Sequence, residues 1–404
     1  MMKNLSARAK GVSASAIREI LKVTEKPGII SLAGGLPSPT LFPIPEIRSA
    51  LAEVMQTTPQ ACLQYGATEG AMELRQWVAQ AHTSAQYPLS AENVLITTGS
   101  QQALDLLSKA FIDPGDRVLT ENPSYLGAIQ AMSLYQPRFE VLPECDGMID
   151  VPALAQQRMI GKFAYLIPNF QNPTGRLMNL ETRQAMAKYS QEHGQILIED
   201  DPYGEIQFES TGLPSLFSLC PENTIHLGSF SKILAPGLRV GYVVSNPEII
   251  RTLTLLKQSA DLHTPSLNQR LVLELLQQGI YEQQVTAVRQ HYGHQCRHMI
   301  AAIRRHFPSE ARMVAPRGGM FVWCELPEAI NTTELLTESI RENVAFVPGE
   351  YFYVKHPKTN TLRLSFATTP PDKIDTAIEI LGKLISDRLS QTNNGRESVP
   401  VLSR

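Results

Sequence analysis

The middle of the chain repeats one unit, and this repetition constrains the fold more than any other feature of the sequence. Each unit is a short apolar run rich in β-branched residues, followed by a polar or glycine-containing loop and, in several cases, a helical stretch. The runs cover residues 94–98, 117–120, 164–167, 196–198, 224–227 and 240–244. Strands that alternate with helices predict an α/β fold with a mostly parallel sheet. Ligands of such sheets bind beyond the carboxyl ends of the strands, so the loops that follow these runs form the candidate site.

The two ends of the chain differ from the middle. Residues 13–23 have a helical pattern, and a long polar helix, two strands (320–325 and 361–367) and a final helix from 371 to about 388 follow residue 290. A length of 404 residues favours two lobes rather than one core. We therefore expect an N-terminal arm and helix (1–45) that belongs to the small domain, a large domain (46–290), a small α+β domain (291–389) and a mobile polar tail (390–404).

Composition excludes several classes of protein. The longest apolar runs fall short of the roughly 18 residues of a membrane-spanning helix, and the polar N-terminus lacks the apolar core of a signal peptide. A net charge of -3 without a long basic run argues against a nucleic-acid partner. Five widely spaced cysteines without a C-x-x-C pair predict free thiols and a cytoplasmic protein.

Three histidines have the spacing of one helical face: His291, His294 and His298. They lack the carboxylate of an H-E-x-x-H arrangement, and the stretch around them is largely polar. We interpret them as part of a solvated helix face and expect no metal site.

The first two strand-end loops each allow two interpretations. Residues 97–102 carry Gly99 before a helix, where free N–H groups can bind an anion, although a strand-to-helix turn needs glycine in any case. Residues 121–125 end in Tyr125, which is placed either to stack on a planar ligand or to pack in the core.

The next two loops are richer in polar side chains. Residues 168–175 contain Asn169 and Asn172 around a turn fixed by proline and glycine, so the amides either close the turn or point into a pocket. Three consecutive acids at residues 199–201 end an apolar strand. Burying them is costly without partners, so they are solvated or one of them faces a cation.

The fifth loop, residues 229–241, contains Lys232 between an apolar strand and an apolar turn. Most lysines lie at the surface, but this position favours burial. An apolar pocket or a nearby cation lowers the pKa of a lysine amine, which then attacks carbonyl groups. Lys232 is therefore the candidate nucleophile.

The motifs in these loops occur together in one known family. S-x-x-K (229–232) precedes P-G-x-R-x-G (236–241), and N-P-T-G (172–175) and D-x-x-Y (200–203) lie upstream. The chain resembles the fold-type I pyridoxal-phosphate enzymes of the class I/II aminotransferases, in particular the 2-aminoadipate and kynurenine aminotransferase branch. The resemblance extends from about residue 13 to about residue 380. It implies a three-layer large domain, built on a mostly parallel sheet, that binds pyridoxal 5′-phosphate, and a smaller α+β domain.

The resemblance assigns five residues to the ring of the cofactor. It implies that Lys232 forms the internal aldimine and that Asp200 pairs with the pyridine nitrogen. Tyr203 and Asn172 reach the ring hydroxyl, and Tyr125 stacks on the ring face. A carboxylate at Asp200 keeps the nitrogen protonated, which makes the ring a better electron acceptor.

The resemblance also assigns the contacts of the phosphate group. Four residues of one subunit hold it: Ser100, Gln101, Ser229 and Arg239. Tyr65 matches a tyrosine that reaches the phosphate of the neighbouring subunit, which implies a homodimer with shared active sites.

On the substrate side, Arg363 matches the arginine that binds the α-carboxylate, and Asn172 and Gly35 line the site. Arg18, on the helix expected at 13–23, is a candidate partner for the distal carboxylate of an acidic substrate; the alternative is a solvated arginine on a helix surface. Residues 348–356 depart from the family pattern, because Tyr351, Lys355 and His356 stand where relatives commonly have small residues.

The resemblance implies an enzyme of amino acid metabolism. It moves an amino group from an amino acid, acidic or from a broad range, to a 2-oxo acid such as 2-oxoglutarate, by a ping-pong mechanism. Another reaction on the same scaffold (decarboxylase, β-lyase or racemase) is the first alternative, since fold does not decide chemistry. The second is a regulator that senses the cofactor, but the family pattern begins by about residue 13, which leaves only about a dozen residues for a DNA-binding module.

Overall fold

The structure is a computed structural model that describes residues 6–10, 19, 20, 22, 26–210 and 212–397. The strands are β1 Ile30–Ser31, β2 Val94–Thr97, β3 Arg117–Thr120, β4 Arg138–Val141, β5 Glu144–Cys145, β6 Met148–Ile149, β7 Ala164–Leu166, β8 Leu197–Asp200, β9 Thr224–Ser229, β10 Gly241–Val244, β11 Arg312–Met313, β12 Phe321–Glu325, β13 Val344–Ala345, β14 Val347–Pro348 and β15 Thr361–Ser365. The helices are α1 Ala7–Lys10, α2 Ile44–Thr57, α3 Pro59–Leu63, α4 Met72–His82, α5 Ser100–Phe111, α6 Leu126–Ser133, α7 Val151–Gln156, α8 Leu180–His193, α9 Leu216–Leu219, α10 Pro247–Gln258, α11 Ser266–Gln277, α12 Ile280–His306, α13 Thr332–Arg341 and α14 Pro371–Glu397.

A seven-stranded sheet forms the centre of the larger part of the molecule. Its strand order is β2-β10-β9-β8-β7-β3-β4, and every neighbouring pair is parallel except the two pairs made by β10. The prediction of a mostly parallel α/β sheet is therefore confirmed. The edge strand β4 was not predicted, because only part of each of its side chains is covered and its run carries charges.

Local sequence signals set the helices that cover this sheet. The predicted helix at residues 180–193 forms as α8: the Asn179 side chain accepts a hydrogen bond from Thr182 N at 2.8 Å, and Gly194 ends the helix in the left-handed conformation. All four residues of β8 are buried, as expected for a strand covered on both faces. Because β2, β3, β7, β8 and β9 run in the same direction, their carboxyl ends lie along one edge of the sheet.

A second, antiparallel sheet (β11-β12-β15-β14) lies in the smaller part, where α12 and α14 pack together. The N-terminal strand β1 pairs with β13, and the amide of Ser365 donates to Leu32 O at 2.8 Å. The segment that follows β1 also reaches the large sheet, since Gly35 O accepts a hydrogen bond from Lys232, which follows β9. Helix α12 runs across residues 290 and 291, where the sequence pattern changes.

The two ends of the chain include segments that the sequence predicts to be helical. Helix α14 continues to Glu397, so the predicted helix end near Arg388 is wrong, whereas the mobility of the tail from Ser390 stays a prediction. The sequence after Arg388 carries no apolar periodicity, so no helical pattern marks these turns. Residues 398–404, most of the helix predicted at 13–23, and Arg18 lie outside the described residues. Within the described ranges, every helix is too short or too polar to cross a bilayer.

Candidate active site

Lys232 lies in a short 3-10 turn directly after β9, and its side chain is half-buried. Its Nζ donates a hydrogen bond to Gly35 O at 3.0 Å, so the residues that follow β1 close one side of the pocket. Burial lowers the pKa of Lys232 to about 8, and the nearby charges of Arg363 and Arg239 act in the same direction. About a tenth of this amine is therefore neutral and nucleophilic at pH 7, far more than for a lysine with the usual pKa.

Asp200 ends β8 and is 2% exposed. Its Oδ2 accepts a hydrogen bond from the Tyr165 hydroxyl at 2.6 Å, whereas its Oδ1 is buried and has no partner among the described residues. Burial raises the pKa of Asp200 to about 6. A buried carboxylate oxygen without a donor is costly, so this geometry calls for a ligand that donates a hydrogen bond.

Arg363, on β15, lies on the opposite side of the pocket and is 3% exposed. It donates to Asn172 Oδ1 at 2.9 Å and to Ala33 O at 2.7 Å, and its Nε is unpaired. The guanidinium lies over the rings of Phe321 and Phe352, 4.2 Å and 5.0 Å from their centroids. Burial lowers the pKa of Arg363 to about 10, so the group remains charged at neutral pH.

The side chains of Asn172 and Tyr203 join the two sides of the pocket. Asn172 Nδ2 donates to the Tyr203 hydroxyl at 3.3 Å, and the Tyr203 ring centroid lies 5.9 Å from Lys232 Nζ. Burial raises the pKa of Tyr203 further above its usual range, so its hydroxyl remains protonated. The predicted residues Lys232, Asp200, Tyr203, Asn172 and Arg363 are thus brought together.

A tight turn at the end of β2 forms a third side of the pocket. Gly99 has a φ of 76°, and a Cβ at this position would clash with the guanidinium of Arg239. Arg239 Nη2 donates to Thr98 O at 3.3 Å, and helix α5 begins at Ser100. A positive side chain beside a helix N-terminus is a favourable place for an anion.

Three further predicted residues surround this turn. The Ser229 side chain accepts a hydrogen bond from Ser231 N at 3.2 Å, directly before Lys232. The Gln101 side chain donates to Gly127 O at 3.0 Å and so is turned toward helix α6. Tyr125 caps that helix next to Gly127, and burial raises its pKa, with the Asp200 charge adding to the effect.

Tyr65 lies apart from this group and is 78% exposed. Its ring contacts the ring of His263 edge-on, with 5.8 Å between the centroids. The segment that departs from the family pattern is tied to the β3 loop, since Asn122 Nδ2 donates to Lys355 O at 2.8 Å. His298, one of the three histidines considered for a metal, is paired with Asp375 at 2.9 Å, and the described ranges hold no cluster of three or more metal-ligating side chains.

Sequence reasoning missed Tyr165, Phe321 and Phe352. Tyr165 pairs in register with Ile198, two residues before Asp200, so the two polar side chains share one face of the sheet. A phenol inside an otherwise apolar run was the available signal. No comparable signal marks the two phenylalanines, which reach Arg363 only through long-range folding.

The described residues fit pyridoxal 5′-phosphate. The unpaired Asp200 Oδ1 suits a protonated ring nitrogen, the neutral fraction of Lys232 suits a carbonyl carbon, and the turn at Gly99 suits a phosphate group. This fold and site define a pyridoxal phosphate-dependent transferase of fold type I.

Comparisons with known proteins agree with this class. The family model for aminotransferase class I and II matches residues 28–381. The 2-aminoadipate transaminase of Thermus thermophilus is 46% identical over 94% of this chain and 96% of its own length. The crystal structure of LysN, an α-aminoadipate aminotransferase from the same organism complexed with N-(5′-phosphopyridoxyl)-L-leucine, covers 96% of this chain and 99% of that one, with 44% identity and a TM-score of 0.89. The kynurenine aminotransferase of Pyrococcus horikoshii is 37% identical, covers 96% and 98% of the two chains and has a TM-score of 0.90.

The chain belongs to the class I and II aminotransferase family. It is a pyridoxal phosphate-dependent aminotransferase, as the sequence motifs predicted. The alternatives of a decarboxylase, β-lyase, racemase or cofactor-sensing regulator are not favoured by these matches.

Proposed function

We propose that the enzyme transfers the amino group of acidic amino acids, such as 2-aminoadipate and glutamate, to 2-oxo acids such as 2-oxoglutarate. The observation that carries the amino acid part of this proposal is the buried guanidinium of Arg363, which has no carboxylate partner within the described part of the chain. A buried cation with an unpaired donor requires an anion, and the α-carboxylate of an amino acid supplies one. The 46% identical 2-aminoadipate transaminase supports the acidic substrate class.

Bound pyridoxal phosphate supplies the electron sink of the reaction. The side chain of Arg363 orients the substrate through a two-pronged contact with its carboxylate, and Phe321 and Phe352 shield this contact from water. Lys232 takes the proton from the substrate Cα, because its amine is buried and partly neutral near neutral pH. Gly35, which accepts a hydrogen bond from Lys232 Nζ, limits where that amine can lie.

The remaining predicted residues hold the cofactor in this proposal. Asp200 accepts a hydrogen bond from the ring nitrogen, and Tyr203 and Asn172 contact the ring hydroxyl. Tyr125 stacks on the ring. The phosphate contacts are assigned to Ser100, Gln101, Ser229 and Arg239, which surround the turn at Gly99.

We further propose a cytoplasmic homodimer in which Tyr65 of one subunit reaches the phosphate of the other. The segment from residue 36 to residue 72, together with Leu262 near His263, carries most of the exposed large apolar side chains: Leu36, Ile44, Leu51, Met55, Leu63, Tyr65, Met72 and Leu262. An isologous interface would cover both copies of this surface at once. Five free thiols support the cytoplasmic location.

The substrate proposal is tested with 2-oxoglutarate and a panel of 2-aminoadipate, glutamate, leucine, phenylalanine and kynurenine. Oxo-acid formation and cofactor absorbance are recorded together for each donor. We expect oxo acid from the acidic donors, with absorbance changes of the pyridoxamine form. Release of carbon dioxide, or racemised amino acid without oxo acid, would exclude amino transfer as the main reaction.

The dimer proposal is tested by mixing two inactive variants, Tyr65→Ala and Lys232→Ala. Because mixed dimers contain one site with both native residues, partial activity should return on mixing. Light scattering that shows an active monomer would remove this proposal.

A further inference from the structure

An ion pair between a buried lysine and a solvent-accessible carboxylate lies behind the turn at Gly99, and none of the roles above uses it. Lys257, in the last turn of α10, is fully buried, and its Nζ lies 2.8 Å and 2.9 Å from the two carboxylate oxygens of Asp261. A fully buried lysine is uncommon and costly unless it is paired. Asp261 offsets the cost of burying Lys257, and we therefore ask which other groups this pair contacts.

Hydrogen bonds connect the pair to the backbone of the turn. Gln102 Oε1 accepts from Lys257 Nζ at 2.7 Å and from Thr98 N at 2.8 Å, and Gln102 Nε2 donates to Asp261 Oδ2 at 2.6 Å. The Thr98 hydroxyl donates to the same Asp261 oxygen at 3.0 Å. Both the amide and the hydroxyl of Thr98, the residue before Gly99, are thus held by one network.

The opposite side of the turn is held separately. Arg239 donates to Thr98 O, and a Cβ on Gly241 would lie 2.9 Å from Gly99 C and from Ser100 N, so the backbone of β10 packs directly on the turn. The turn is clamped between these residues and the network of Lys257. A clamp on both sides fixes the directions in which the N–H groups at the start of α5 point.

The positive charge of Lys257 also neutralises the negative charge of Asp261. Burial alone would raise the pKa of Asp261, but hydrogen bonds from Lys257, Gln102 and Thr98 lower it overall, so the group is an anion. An unneutralised carboxylate behind an anion-binding turn would repel a phosphate. The Lys257 ammonium cancels this charge while the carboxylate keeps its structural hydrogen bonds.

We propose that Lys257 and Asp261 are positioning residues for the phosphate group of the cofactor, acting through Thr98 and Gln102 on the turn at Gly99. Neither residue is assigned a contact with the cofactor. The inference rests on the proposed placement of the phosphate at this turn.

The test compares the affinity of apoprotein for pyridoxal 5′-phosphate and for pyridoxal, which lacks the phosphate, by equilibrium dialysis. Lys257→Met should bind the phosphate-bearing ligand about tenfold more weakly or worse, since about 1.4 kcal/mol corresponds to a factor of ten. Its affinity for pyridoxal should stay within about twofold of the wild type, because the turn and the uncancelled charge act only on the phosphate. Lys257→Met/Asp261→Asn, which also removes the carboxylate charge, should bind pyridoxal 5′-phosphate more tightly than Lys257→Met.

Lys188→Met is the matched control. Lys188 pairs with Glu192 at the same i,i+4 spacing but on an exposed helix face, so its loss should leave both affinities unchanged. Unchanged binding in Lys257→Met, or equal losses for both ligands, would overturn the inference, the latter because it indicates general damage to the fold. A wild-type protein that binds neither ligand would instead overturn the proposed cofactor site.

Discussion

Two carboxylates stand side by side near the end of β8, and their surroundings are opposite. Glu199 accepts hydrogen bonds from Leu216 N at 2.8 Å, Phe217 N at 3.0 Å and the His226 ring at 3.1 Å. Burial alone would raise its pKa, but these partners lower it overall. Asp200 has one partner, Tyr165, and an open oxygen. Glu199, on one face of the strand, is fully paired within the protein and stabilises the fold. Asp200, on the other face, keeps one oxygen free for a ligand.

Two buried arginines differ in the same way, since one is fully paired within the protein and the other is not. Arg183 donates to the carbonyl groups of Met178, Pro214 and Pro168 and to the Asn169 side chain, which satisfies all three nitrogens. Arg363 has two polar partners, an unpaired Nε and two aromatic rings. In these two comparisons the extent of pairing separates the structural charge from the functional one, whereas burial does not, because all four groups are buried.

The largest effect is expected at the nucleophile. Lys232→Ala should lower turnover by at least about 10³-fold, because it removes both the covalent link and the proton carrier. Borohydride reduction of the wild-type protein, followed by peptide mass spectrometry, should place the cofactor on Lys232. Label on another lysine, or a colourless protein that takes up no added cofactor, would falsify the assignment.

Neutralising the two carboxylates of β8 should have different effects: one variant should lose activity and the other should lose stability. Asp200→Asn should lower turnover by about 10²-fold or more, since the ring nitrogen loses its anionic partner. Glu199→Gln should instead destabilise the fold by about 3 kcal/mol, because it breaks a buried pair and turns an amide toward two N–H donors. Chemical denaturation and steady-state kinetics on both variants separate the two outcomes. A dead but stable Glu199→Gln would refute the division.

Asp200→Asn should also stabilise the apoprotein in a pH-dependent manner. Burial raises the pKa of Asp200 from 3.8 to about 6, so the fold favours the protonated form. The contribution of protonated Asp200 to the stability of the wild type is complete below about pH 4 and is lost as the pH rises through about 6; a shift of this size corresponds to about 3 kcal/mol. The variant should therefore unfold like the wild type at pH 4 and later than it at pH 8. If the difference in unfolding free energy between the variant and the wild type became smaller as the pH rose, the predicted pH dependence would be wrong.

Much of this site follows from the sequence because its residues sit at strand ends. Strand periodicity located β2, β7, β8 and β9, and the parallel arrangement brings the loops after them to one edge. The direction of β10 could not be predicted, because a buried run reads alike in parallel and antiparallel pairs.

The hydrogen-bond partners of the site residues were harder to predict than the positions of these residues at the strand ends. The distinction between Glu199 and Asp200 depends on which face of β8 meets His226 and which meets Tyr165, and both partners come from neighbouring strands. The aromatic rings on Arg363 come from β12 and from the turn before β15. Such contacts join residues far apart in the chain, and local periodicity carries no information about them.

The two arginines offer a milder comparison. Arg363→Lys should raise the KM for every amino acid donor by about tenfold to 100-fold, because a point charge replaces the two-pronged contact. Arg183→Lys should mainly lower the free energy of unfolding, by about 2 kcal/mol, since carbonyl groups lose their donors. Kinetics and denaturation on both variants are again decisive. Equal effects on KM would mean that pairing does not distinguish the two arginines.

The smallest effect concerns Arg18, which sequence alone nominates as the partner of the distal carboxylate of an acidic substrate. If Arg18 meets that carboxylate, Arg18→Ala should raise the KM for 2-aminoadipate and glutamate by about tenfold, the range of a hydrogen bond to a charged group. The KM for leucine and phenylalanine should change less than about twofold, because these donors have no distal charge to lose. Arg251→Ala, at an exposed arginine of α10, is the control and should leave both classes unchanged. Equal losses for acidic and apolar donors would show that Arg18 only supports its helix. Arg363, which binds the carboxylate that all amino acids share, would then be the one arginine that this comparison links to the substrate.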